Sequence, residues 1–388
     1  MSTTERTAIS LSEGASKLLA ILRDGIPRTR AELVERTGAV RSTVGMRIDE
    51  AAALGLVEEL AEPVYTGGRP TTRVRFVPSA RLVVGIDIGV EHTAFAIADL
   101  RGETVTARRH QRDPAETPEA ALERVLAGIY AAADSEGLDR ALIAGVGIGI
   151  SAPVEHRTGR PIKPMLLPGW DGFDMPRWFL DHAGLPAWVE KDAHMMAVGE
   201  RSLSAAPEPN MLFVKVAAGI GGGIIINGQV YRGTDGTAGV IGHIPVRGYD
   251  TPCHCGNRGC LEAVAAGPAL ARELRDRGVP AEKGRDVVRL AQAGNISAVD
   301  VVRQAGRNIG EILSICANVF NPALIVIGGE IAQAGDPLLA GIREVVYGTS
   351  MPLATRSLEI QLADPEIDVA VRGAAVVAAD HVLGEQWL

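Results

Sequence analysis

The sequence predicts an α/β protein in two parts: a small helical head with a β-hairpin wing, and a larger body of two similar lobes. Three observations predict it. The stretches LVVGIDIGV and TAFAIADL (82–100) and MLFVKVAAGIGGGIIINGQVYRG (211–233) each read strand, Gly-rich turn, strand, so the body carries an approximate internal repeat. Segments of helical periodicity alternate with these strands, which is the pattern of α/β layers. Ahead of them, residues 1–80 hold short amphipathic segments parted by tight turns.

In the head, GASKLLAILRD (14–24) sets Leu18, Leu19, Ile21 and Leu22 at helical spacing, and Gly25 and Pro27 stop the helix. In TRAELVERTGA, Thr29 can cap a second helix and Glu32 completes a capping box. Leu33 and Val34 supply its buried face, and Gly38 ends it. A third helix, VRSTVGMRIDEAAALG, takes Ser42 as its cap and lines Val44, Ile48 and Ala52 along one side. Short helices joined by a Gly-containing turn are the helix-turn-helix signal. The third helix would then turn Arg41, Ser42, Thr43 and Arg47 toward phosphates and base edges of double-stranded DNA. LVEEL and TTRVRFV form a winged hairpin around AEPVYTGGRP, with Arg69 at its tip suited to a narrow minor groove. A small protein-binding module would fit the same segment.

The body continues with the strands TVTARRH and AGVGIGI and helical segments at 119–135, 175–184 and 193–203. Helices follow at 267–278, 284–293 and 297–321, then the strand LIVIGG and a closing helix near 371–383. Helix 297–321 is apolar on more than one face, so it belongs to the core with part of it available to a dimer contact; Cys316 within it reads as a packed thiol.

Composition narrows the classes. A chain of 388 residues with 46% hydrophobic residues can bury a large core. It has no run of ~18 apolar residues, which a membrane span needs. MSTTERTAISLSEG is polar and unlike a signal peptide, and four cysteines suit a reducing compartment, so a soluble cytoplasmic protein is expected. Net charge is −8. Residues 1–80 carry eleven Arg/Lys against ten Asp/Glu, and the rest 28 against 37. Charge alone therefore does not announce nucleic-acid binding.

The most specific stretch is 239–262, GVIGHIPVRGYDTPCHCGNRGCLE. Cys253, Cys255 and Cys260 fall within eight residues, and His243 stands ten residues before the first of them. Three thiols and an imidazole are the ligand set of a closed tetrahedral zinc site, structural because no coordination position is left open. Gly256 and Gly259 let the loop double back. Buried thiols of an ordinary core would be scattered, and this loop is polar.

A His ten residues ahead of C-x-C-G-x-x-G-C-x-E resembles the signature of the ROK family, which holds sugar kinases and sugar-responsive transcriptional repressors. The likeness covers the body, and the helix-turn-helix with its wing is similar to the heads of the family's repressors. It implies an actin/hexokinase-like (ribonuclease H-like, duplicated) fold for 81–388 behind a winged helix-turn-helix at 1–80, with the zinc loop at 243–262. It further implies a ligand cleft between the lobes, lined by Gly159, Arg160, Lys191, Asp192, His243 and Glu262.

Against the family's kinases the phosphate turns differ. Where those write D-I-G-G-T-K, this chain has Asp87, Ile88, Gly89, Val90, Glu91 and His92. Glu91 would face polyphosphate, a like-charge contact. Gly219, Gly221, Gly222 and Gly223 remain in the second turn, but Ala217 and Ala218 replace a Gly and a phosphate-binding Thr. Of the kinases' Asn-Asp pair, Asp192 survives as a vestigial base beside Lys191, whose ammonium would hold it ionised. Asp192 reads equally as a helix cap, and Glu262 as a cap or an Arg partner. Val240 replaces the carboxylate of the family's E-x-G-H. His92 and His110 are expected to be exposed.

These features point to a homodimeric or homotetrameric regulator that binds an operator and a sugar-like effector without catalysing phosphoryl transfer. An ATP-dependent sugar kinase with a DNA-binding head, and a regulator whose vestigial cleft answers to a protein partner, remain the alternatives.

Overall fold

The computed structural model describes residues 11–64, 71–113 and 115–384. Helix α1 (Glu13–Leu22) is capped by Ser12, whose hydroxyl accepts the Ala15 N–H at 3.2 Å. A two-residue strand, β1 (Arg28–Thr29), leads into α2 (Arg30–Thr37). The capping box is formed: the Thr29 N–H donates to Glu32 Oε2 at 2.7 Å and the Glu32 N–H to Thr29 Oγ1 at 3.3 Å. Gly38 closes this helix at φ 65°, in the left-handed region that favours glycine. Helix α3 (Arg41–Ala53) begins two residues earlier than a Ser42 cap would place it; Val40 is its N-cap, with no side-chain capping bond. Strands β2 (Val57–Val64) and β3 (Thr71–Phe76) pair antiparallel, and β1 adds to the other side of β3. Leu18, Leu22, Leu33, Val44, Ile48 and Phe76 fill the core beneath. Arg69, expected at the hairpin tip, lies outside the described residues.

The first lobe runs β4 (Leu82–Ile88), β5 (His92–Asp99), β6 (Thr104–Gln111), α4 (Pro118–Ser135), β7 (Ile143–Ile150), the small pair β8 (Val154–Glu155) and β9 (Arg160–Pro161), α5 (Met175–Ala183) and β10 (Ala187–Lys191). Its sheet is ordered β6-β5-β4-β7-β10. Helix α6 (Asp192–Arg201) crosses to the second lobe: β11 (Met211–Val216), β12 (Ile220–Ile226), β13 (Gln229–Val230), α7 (Leu261–Ala265), α8 (Gly267–Asp276), α9 (Gly284–Gln292), α10 (Ile296–Phe320), β14 (Leu324–Gly328), α11 (Asp336–Thr349), α12 (Pro352–Thr355) and β15 (Glu359–Leu362). The second sheet is ordered β13-β12-β11-β14-β15. In each sheet the first three strands are antiparallel neighbours, and the fourth and fifth join parallel on the other side of the first. The hairpin repeat read from the sequence is thus one end of a repeated five-stranded sheet. Strands β10 and β15 and helix α11 were not expected. α11 packs along α10 and buries Leu338, Ile342 and Val346.

Helix α13 (Val369–Val382) returns to the first lobe and lies against β4, β7 and α6. The approach is backbone to backbone. A Cβ at Gly373 would stand 1.8 Å from the Met195 carbonyl oxygen, and one at Gly147 1.9 Å from that of Ala374, so only glycine fits. The far end of α13 packs against the head: Ala375, Ala378, Ala379 and Val382 share one core cluster with Leu18, Leu19 and Leu22. Arg23 and Asp380 form an ion pair beside it. Trp188 stacks on His381 with ring centroids 4.6 Å apart. Among the described residues no helix is long and apolar enough to cross a membrane.

Candidate ligand cleft and metal centre

The loop after β13 carries a short helical turn, Ile241–His243, and comes back to Cys260 at the start of α7. Two isolated bridges, Pro245 with Cys260 and Pro252 with Arg258, fold it into a knuckle. The candidate ligand atoms of His243, Cys253, Cys255 and Cys260 all lie within 4.8 Å of one another. His243 Nδ1 is 3.5 Å from the Cys253 sulfur, and the Cys255 and Cys260 sulfurs are 3.7 Å apart. A tetrahedral ion about 2.3 Å from each sulfur needs the sulfurs about 3.8 Å apart, so the donor set and its spacing fit a metal ion such as zinc. Burial and the neighbouring thiols push Cys260 up to about 12, so a thiolate there requires a cation beside it.

The knuckle is tied to the cleft wall. Glu262, two residues past Cys260, accepts the backbone N–H of Ile220 at 3.1 Å. A Cβ at Gly242 would lie 2.2 Å from the Ile220 carbonyl oxygen. Both ends of the metal loop therefore clasp the first residue of β12, at the second Gly-rich turn.

Asp192 opens α6 and is 4% exposed. It is the first helical residue and not the cap; its Oδ1 accepts the Ala193 N–H at 2.6 Å. Its other oxygen is gripped by the ammonium of Lys215 on β11, which also donates to Ser151 Oγ at 2.9 Å. Burial alone would raise the Asp192 carboxyl; the charge and hydrogen bond of Lys215 outweigh it and hold the group below the usual carboxylate range. The ammonium that pins Asp192 is thus Lys215, not Lys191. Lys191 turns away and donates to the carbonyls of Gly239 at 2.9 Å and Gly222 at 3.3 Å. Nothing distinguished Lys215 in the sequence, where it is the one charge in MLFVKV.

On the other side of Lys215 lies a cavity of about 930 Å³, lined by Asp87, Val90, Glu91, His92, Ala217 and Ala218 and closed beyond by α9 and the turn after β14. Both Gly-rich turns meet here. His92, expected to be exposed, is half-buried, with Nε2 2.7 Å from Asp87 Oδ2. Asp87 Oδ1 is buried and has no hydrogen-bond partner among the described residues. Glu91 reaches across the mouth to Lys283 at 3.0 Å. Neither Ala217 nor Ala218 offers a hydroxyl to a phosphate oxygen here, and Glu91 adds a carboxylate at the mouth.

Gly159 makes the β8–β9 turn at φ 67°, and the guanidinium of Arg160 pairs with Asp174 at the start of α5. A buried hub was missed: Glu190, on β10, takes His156 Nδ1 and His194 Nδ1 at 3.1 Å each and Arg232 Nε at 2.5 Å. His194 Nε2 lies 3.2 Å from the Ala238 carbonyl oxygen. The hub fixes the loop 231–239 that leads to His243, and these partners meet only through β10. In the head, Arg41 and Ser42 are exposed on the first turn of α3 and Thr43 is half-buried. Arg47 is also half-buried, its guanidinium lying over Gly14 of α1.

Two lobes with one repeated sheet, a cleft between their Gly-rich turns and a knuckle of one histidine and three cysteines on the cleft wall define a two-lobed, sugar-kinase-like ligand-binding body. The ROK family profile matches residues 83–381, and the chain belongs to the ROK family. It is 27% identical to a xylose repressor of Bacillus spizizenii over 367 residues, spanning 94% of each chain. Its fold is shared with the crystal structure of a ROK family transcriptional regulator, homolog of the E. coli MLC protein, at TM-score 0.80 and 24% identity over 96% of each chain. It is also similar to a ROK family glucokinase from Streptomyces griseus in complex with glucose and AMPPNP, at TM-score 0.66 and 26% identity, covering 76% of this chain and 99% of that one.

Proposed function

We propose that the protein is a DNA-binding transcriptional repressor whose ROK body senses a sugar-like ligand and transfers no phosphoryl group. Residues 1–80 form the DNA-binding domain and 81–388 the sensor, with a structural zinc ion held by His243, Cys253, Cys255 and Cys260. The observation that carries the reading is the pairing of Lys215 with Asp192: the ammonium holds the carboxylate ionised and makes it a weaker base toward a sugar hydroxyl. The likeness to a xylose repressor over 94% of its length, head included, supports the same reading. Arg41 and Ser42 at the exposed start of α3 would reach the operator; Thr43 and Arg47 stand behind them, and Arg69 would serve on the wing. A homodimer, or a dimer of dimers, would set two heads at half-site spacing.

Ligand enters beside Asp192, Lys191, Glu262 and the His243 turn. Asp192 starts α6, α6 meets α13 backbone to backbone, and the far end of α13 carries α1 and the Arg23–Asp380 pair. A ligand that favours one arrangement of α6 thereby biases the head, provided its affinity differs between the two states. The retained Asp192 and the open cavity favour, as a second reading, an ATP-dependent sugar kinase bearing a DNA-binding head. Thermal-shift titration separates the two. A higher melting temperature with a sugar and none with magnesium-ATP supports the sensor; a clear shift with magnesium-ATP supports the kinase.

A further inference from the structure

The deep end of the cleft holds a lysine where its two lobes meet. Two buried carboxylates, Asp87 and Asp192, 5% and 4% exposed, act on one ammonium. The side chain between them is Lys215, from the first strand of the second lobe. Its ammonium holds Asp192 and Ser151 directly and lies within the field of Asp87. Asp87, on the cavity wall that Lys215 shares, keeps one oxygen, Oδ1, buried with no hydrogen-bond partner among the described residues. Two carboxylates around one cationic group offer hard oxygen ligands of the kind that hold a divalent cation. A lysine tethered between them supplies the positive charge without one.

We propose that Lys215 sets the ligand specificity of this cleft: its ammonium is a built-in cation standing where Asp87 and Asp192 would otherwise bind a divalent metal ion. This rests on the reading of the body as a sensor that works without nucleotide. A neutral sugar needs no metal, so the substitution leaves a hydroxyl-binding cleft usable while denying it magnesium and, with magnesium, polyphosphate. The same contact joins the lobes, β11 of the second to Ser151 and Asp192 of the first. The cation therefore also holds the cleft together where a bound metal–nucleotide would otherwise bridge it.

The test is manganese binding by the full-length, zinc-saturated protein, read from the loss of the free Mn2+ electron paramagnetic resonance signal and from the melting temperature. Lys215→Met removes the charge at similar length. Lys215→Gln keeps hydrogen-bonding capacity toward Asp192 and Ser151, and it serves should the methionine variant not fold. Wild type is expected to leave the Mn2+ signal unchanged at millimolar metal, and the Lys215 variant to bind stoichiometrically with a raised melting temperature. Adding Asp87→Asn to the variant should abolish that binding. A folded Lys215 variant that binds Mn2+ no better than wild type overturns the inference, as does binding that survives Asp87→Asn. If wild type itself responds to magnesium-ATP, the nucleotide-free reading falls first. If wild type ignores ATP and the variant ignores Mn2+, only the role of Lys215 falls.

Discussion

Gly373→Ala sets two effects against each other at the contact between α6 and α13. Alanine is the better helix former by about 1 kcal/mol, so propensity alone predicts stabilisation. The geometry predicts the reverse. The added Cβ would lie 1.8 Å from the Met195 carbonyl oxygen and 2.7 Å from the Gly199 nitrogen. Both are backbone atoms that cannot swing aside, so the helices must part, and overpacking of this kind costs about 1–3 kcal/mol or more. Taking about 1–3 kcal/mol as the net cost, and roughly 2–4 °C of melting temperature per kcal/mol in large domains, the variant should melt about 2–12 °C lower. Gly348→Ala, in α11, is the control: a Cβ there meets nothing within 4 Å, so the melting temperature should hold or rise. Differential scanning calorimetry reads both. Because α13 also carries the head, Gly373→Ala should alter the ligand dose that releases operator. A melting temperature equal to or above wild type would refute the close contact and the route argued through it.

Cys255→Ser should lower bound zinc and the melting temperature together, checked by elemental analysis; a full zinc content would remove the metal assignment. Arg41→Ala should weaken operator binding by about 10- to 100-fold while leaving ligand binding unchanged, as fluorescence anisotropy with labelled DNA can measure. Lys191 is pushed down by burial to about 8 from an ordinary 10.5. Below pH 8 folded and unfolded chains both hold that proton, and the buried charge costs stability. Between pH 8 and 10.5 only the unfolded chain holds it, so wild type should gain on Lys191→Met as pH rises through that window, by as much as about 3 kcal/mol. Denaturant melts across that window would show a flat difference if Lys191 were not desolvated.

What was legible in the sequence was local or strongly patterned. The capping box of Thr29 and Glu32 spans three residues, and the Gly-rich hairpins announce themselves by composition. The knuckle of His243 and its three cysteines has a spacing that ordinary core residues do not produce. What was missed depends on pairings between distant segments. Lys215 is one polar residue in an apolar strand, and only the approach of the second lobe to Ser151 and Asp192 gives it a role. Adjacency in the chain points to Lys191 as the grip on Asp192, but at the end of β10 their side chains take different directions. The ion pair of Arg160 with Asp174, fourteen residues on, likewise has no signature in the sequence. Strand β15 is four residues on a sheet edge, too short for alternation to stand out. Helix α11 is divided by Gly341 and Gly348, and Gly341 is required by its close crossing with α10.

The central claim is that a sugar-like ligand, acting alone, moves the head. The most direct measurement is operator affinity of the full-length protein, selected first on random duplex DNA, then titrated with sugars in the absence and presence of magnesium-ATP. Release of operator by one sugar, with the same dose response whether or not magnesium-ATP is present, is the predicted result. Release that requires magnesium-ATP, or consumption of ATP during the titration, would contradict it.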